Sequence, residues 1–166
     1  IPLWAVSSLE AGAAAVDIDW FEPSVDIEEA ADANGGRAVA LSDEERAWPR
    51  YVLFDARSDR VYGACYRPTG SGFEVLIPPH STTIGAVLSA GPPFSAFAGD
   101  GAQKHADEIL GAGFTLLPDP FGMPTGAGLL RALASSPSRE PVEDVARWQP
   151  EYLRSSSAER CSGSGA

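Results

Sequence analysis

The residues of this chain best placed to do chemistry are Gly99-Asp100-Gly101, directly after an apolar strand and before a helix. Glycines let a phosphate or a base approach the backbone, and the start of a helix favours anions, so the tripeptide is a candidate nucleotide site. A carboxylate facing a phosphate repels it, and a simpler reading stays open. In that reading Asp100 caps the helix, Gln103 three residues on completes a capping box, and the glycines only turn the chain. A second candidate is Asp55, at the end of a strand and in one turn with Arg57, Asp59 and Arg60. It can hold a metal ion or a water if further carboxylates converge on it, and Glu74 joins only if its strand faces the same way. Otherwise local ion pairs hold the turn. Tyr62 and Tyr66 lie four apart on a strand and point to one face, either as core or as an aromatic stripe for a partner.

Other motifs carry less. The two histidines, His80 and His105, are too far apart for an HxxxH or HExxH pair, and no CxxC occurs, so no metal site built from His and Cys is expected. His80-Ser81 has the residue types of a nucleophile and its base, but chain neighbours seldom point at each other, and Ser81 reads as a helix N-cap. Gly122-Met123-Pro124-Thr125-Gly126-Ala127-Gly128 has no following Lys-Ser or Lys-Thr and so is not a P-loop; it reads as a helix entry with close packing at Gly126 and Gly128. Lys104 and His105 read as solvated helix residues. No catalytic residue is assigned.

The elements that must position these residues come from 166 amino acids, enough for one domain that buries about 70% of its unfolded surface. No apolar run approaches the roughly 20 residues of a membrane span, and no basic, apolar leader opens the chain. Its start at Ile1, already strand-like, reads as the later part of a longer polypeptide. Cys65 and Cys161 make no disulfide framework and read as unpaired thiols of a reducing, cytoplasmic compartment. The net charge is −11, and the stretch from Asp17 to Glu45 alone supplies −9, with Arg37 its single base. Lys104 is the only lysine, so no basic patch for a nucleic-acid backbone is visible.

Ile1–Val6 reads as a short strand, and Ser7-Ser8-Leu9-Glu10 as a capping box opening an Ala-rich helix to Val16. Residues 17–49 read as an acidic, flexible insertion, with Trp20, Phe21 and Trp48 pinning its ends, and either Ala38–Leu41 or Asp43–Trp48 as a candidate helical turn. Tyr51–Phe54, Val61–Tyr66 and Phe73–Ile77 are aromatic and β-branched runs joined by polar turns, which predicts an antiparallel meander. His80-Ser81-Thr82-Thr83 then opens a helix with Ile84, Val87 and Leu88 on its apolar face and Gly91 as its stop. Phe94–Ala98 is a strand, Ala102–Leu110 a helix, Phe114–Leu117 a strand, and Thr125–Ser135 a helix with Leu129, Leu130 and Leu133 on one face. Trp148–Arg154 is expected to dock on the body, and 155–166 to be a disordered tail. A three-strand meander followed by strand–helix crossovers is an α/β, ribonuclease-H-like arrangement, the one that forms each lobe of actin-like ATPases.

Several segments, taken in order, resemble the TsaB (YeaZ) family, the actin-like subunit of bacterial tRNA threonylcarbamoyladenosine synthesis. They are Ile1-Pro2-Leu3-Trp4-Ala5-Val6-Ser7-Ser8-Leu9-Glu10, Asp55-Ala56-Arg57 followed by Val61-Tyr62, Gly99-Asp100-Gly101-Ala102, and Pro150-Glu151-Tyr152-Leu153-Arg154. The resemblance spans nearly the whole chain and corresponds to the C-terminal lobe; the family's N-terminal lobe, with its Asp-containing phosphate loop, has no counterpart here. It implies a non-catalytic scaffold, partner of the catalytic TsaD subunit and of the ATPase TsaE, in modifying the adenosine beside the anticodon. It implies no intrinsic cofactor, no direct tRNA binding and no membrane, and leaves a homodimer open. The catalytic relative holds a metal through an HxxxH motif, which this chain lacks. Asp55, Arg57 and Tyr62 are then partner or turn residues. The alternative is a nucleotide-binding or hydrolytic half of an actin-like, glycoprotease-like enzyme, with ATP at Gly99-Asp100-Gly101.

Overall fold

A computed structural model describes residues 3–16, 43–136 and 138–150 of the chain. Most of the expected insertion, Trp20 and Phe21 included, and the expected tail lie outside the described residues. Among the described residues five strands form one mixed sheet in the order β3-β2-β1-β4-β5. They are β1 (Arg50–Asp55), β2 (Arg60–Thr69), β3 (Gly72–Thr83), β4 (Ala96–Ala98) and β5 (Thr115–Leu116). β1, β2 and β3 pair antiparallel as the meander, whereas β4 runs parallel to β1 and β5 parallel to β4. The architecture is α/β.

Period-two alternation sorts the side chains of β1 between two layers. Tyr51 and Leu53 pack with Val61, Cys65 and Phe97 under α3 (Ile84–Ala90), α4 (Asp100–Lys104) and α5 (Ala106–Gly111), which contribute Val87, Ala102 and Ile109. Tyr51 stacks on Phe97 with ring centroids 5.2 Å apart. On the other face Val52, Ala64 and Tyr66 pack under Leu9 and Ala13 of α1 (Ser8–Ala15). Tyr66 is therefore core, and Tyr62 is half-buried. α1 is buried on its far side too, against α6 (Gly126–Ala134). Only small residues permit that approach: a Cβ at Gly128 would lie 2.4 Å from the carbonyl oxygen of Ala11.

Arg50 is buried at the start of β1, an expensive place for a cation unless its donors are used. It donates to the carbonyls of Ala13 in α1 and Arg46 in α2 (Asp43–Ala47), each at 2.9 Å, and its guanidinium lies 5.6 Å from the centre of the Phe73 ring. A cation at helix carbonyls satisfies groups that have no partner within the helix. Trp48, as expected, packs half-buried against the body, beside Val16, Ala96 and Leu117.

Several local expectations give way to tertiary structure. Leu3 to Val6 form no strand: the sheet edges are β3 and β5, and this segment is held instead by Val142, whose amide donates to the Leu3 carbonyl at 2.7 Å, and by Arg139. Ser7 does cap α1, accepting from the Leu9 amide, but Glu10 does not reach back. Its carboxylate receives Nη2 of Arg139, which also donates through Nη1 to the Ala5 carbonyl at 2.8 Å. His80 to Thr83 continue β3 rather than opening a helix, and Thr83, not Ser81, caps α3. The single helix expected over Ala102–Leu110 is two, broken at His105. α6 buries Gly128 and Ala132 and leaves Leu129 and Leu130 exposed, because the close approach to α1 requires its smallest residues; Gly126 meets nothing. Of the segment expected to dock, Trp148 is 45% exposed, and residues 151–154 lie outside the described residues. Among the described residues no helix is long and apolar enough to cross a membrane.

Candidate functional site at the carboxyl ends of two parallel strands

β1 and β4 run parallel; Ala98, the last residue of β4, pairs with Val52, and β1 runs on beyond it to Asp55. In open α/β sheets this end is where ligands bind. The sheet brings both expected loops here, 55–60 and 99–101. Gly99 (φ 96°) turns the chain off β4 and is the N-cap of α4. Gly101 follows because a Cβ at that position would lie 2.7 Å from the backbone carbon of Phe54, so α4 rests directly on β1.

Asp100 is thus the first helical residue and not the cap. Its Oδ1 accepts from its neighbour's amide, Gly101 N at 2.8 Å, and from Asp55 N at 3.3 Å. The expected capping box is absent: Gln103 sends Nε2 to the Leu117 carbonyl at 2.6 Å and so ties α4 to the end of β5. Two amides that an incoming anion would seek are occupied by a carboxylate of the chain itself.

Asp55 does not pair with the arginines of its own turn. Oδ1 accepts from Lys104 Nζ at 2.9 Å and from the Arg57 amide at 3.0 Å. The Lys104 hydrogen bond, then the Arg57 amide, hold its carboxyl below the usual carboxylate range. Arg57, Ser58 and Asp59 all take left-handed φ values, 60°, 51° and 55°. The turn is closed by Ala56 N to the Arg60 carbonyl at 2.9 Å, and Arg60 itself reaches across the β2–β3 ladder to the Ser81 carbonyl at 2.7 Å. Arg57 stays exposed at the tip.

Glu74 is not part of this cluster. It pairs with Arg67 at 2.9 Å, near the hairpin end of β2 and β3, whereas Asp55 pairs in register with Val61 near the other end of β2. Among the described residues no three His, Cys, Asp or Glu side chains come together as metal ligands. His80 and Ser81 point apart: His80 Nε2 lies 3.2 Å from the Tyr51 hydroxyl, and Ser81 Oγ accepts from Arg60 Nε at 3.4 Å.

The chain matches none of the known protein-family models and none of the curated proteins.

Two residues of the site belong to it against expectation. Lys104 is no idle solvated side chain but the partner of Asp55, 49 positions away. His105 is 6% exposed, with Nδ1 3.2 Å from Glu108 Oε1 and Nε2 without a hydrogen bond among the described residues. The His105 contact also draws the Glu108 carboxyl below its usual range. The strand–Gly-Asp-Gly–helix order puts Lys104 at the end of α4, and only the parallel pairing of β1 with β4 brings it to Asp55. Nothing local marks His105, since the break between α4 and α5 is what turns it inward.

The arrangement is a closed network: each carboxylate at the strand ends already receives donors of the chain, and these fix the relative placement of β1, α4 and the 55–60 turn. Asp55, Arg57, Asp59, Asp100 and Lys104 are exposed and present shape and charge on one rim of the sheet.

Proposed function

We propose that this chain is the second lobe of a TsaB-like scaffold, a non-catalytic partner of a TsaD-like subunit, acting with a TsaE-like ATPase in tRNA threonylcarbamoyladenosine synthesis in the cytoplasm. The observation that carries the reading is the meeting of two resembling segments, Asp55-Ala56-Arg57 and Gly99-Asp100-Gly101, at the carboxyl ends of adjacent parallel strands. They are 45 positions apart in the chain and joined through the Asp100 carboxylate. The sheet order β3-β2-β1-β4-β5, with an antiparallel meander on one side and parallel strands on the other, supports a ribonuclease-H-like lobe. An interaction role also suits a site whose polar groups are spent on one another and on positioning a turn.

Co-expression with a TsaD-like subunit tests the proposal. Co-elution on a sizing column is the expected result. Separate elution of both this chain and a form carrying an upstream lobe overturns it.

The competing reading, a nucleotide-binding half of an actin-like enzyme, draws on the same place at the strand ends. Against it stands Asp100, whose carboxylate holds the Gly101 and Asp55 amides. Titration calorimetry with ATP separates the two: heat that Asp100→Ala alters favours the enzyme half, and no heat favours the scaffold.

A further inference from the structure

We draw no further inference here: the strongest candidate, the leucine stripe that α6 leaves exposed at Leu129 and Leu130 on its flank away from α1, is an unpartnered apolar face, and nothing in the structure shows what covers it.

Discussion

Lys104 and the Arg57 amide both donate to one oxygen of Asp55, and that pairing lowers the pKa of its carboxyl in the folded state. A folded value below the unfolded one means stabilisation that is present above the ordinary carboxylate pKa of about 3.9 and is lost as pH falls through the folded value. Urea midpoints followed from neutral into acid solution should fall less steeply for Asp55→Asn than for the parent; identical acid limbs would show that the pair contributes nothing to stability. Cys65 tests burial in the same way. Desolvation pushes its thiol up to about 12, outweighing the opposing influence of Ser95 and of the Arg67 charge. The thiolate is the reactive form. Native Cys161→Ser protein should therefore resist a thiol-labelling reagent at neutral pH until it is unfolded, and prompt labelling would contradict the closed position of β2. At this scale Asp55 and Asp100 were legible as strand-end and helix-start residues. Their partners were not, because Lys104 and the Asp55 amide become neighbours only through the parallel pairing of β1 and β4.

Helices and strands carry the next set of consequences. α1 and α6 meet through Ala11, Ala15 and Gly128, so Gly128→Ala sets a methyl against the Ala11 carbonyl and should cost about 1–3 kcal/mol, as overpacking does. Leu130, 66% exposed on the same helix, should accept glutamate within about 0.5 kcal/mol. Denaturant titration of both variants decides the orientation of α6: a larger loss for Leu130→Glu would mean that the leucines face inward. The leucine pattern misleads here because apolarity alone favours burying the largest side chains, whereas close helix contact selects the smallest. The meander was legible, since runs such as Tyr51–Phe54 and Val61–Tyr66 have few other ways to bury their side chains. The boundary of β3 was not. Ser81, Thr82 and Thr83 can each cap a helix; all three pair with β2, and Thr83, the last residue of β3, is the one whose side chain accepts from the Ala86 amide and caps α3.

For the molecule as a whole, β1 is the hub. It is flanked by β2 and β4, covered on both faces, and anchored at its start by Arg50. Amides of Tyr51, Val52 and Leu53 should exchange with solvent most slowly, and those of the short edge strand β5 much sooner, because only full opening exposes the centre of a sheet. Hydrogen-exchange mass spectrometry reads this directly, and a faster β1 than β5 would place the stable centre elsewhere. Global architecture was legible to the level of a meander followed by strand–helix crossovers. The short lengths of β4 and β5, three and two residues, could not be read from their apolar runs, since burial of Ser95 and Leu117 beside them mimics strand.

The clamp of Arg139 on Glu10 and Ala5 has a consequence for how the polypeptide matures. The guanidinium arrives 129 residues after the carboxylate it grips. Eight-residue α1 is too short to persist by itself in water, where isolated helices need about 12–15 residues. Once made, it must wait for the synthesis of both α6 and this latch. α1 is thus secured long after it is made, and a nascent chain halted before Ser138 should leave α1 open to a protease that spares it once Arg139 has been added.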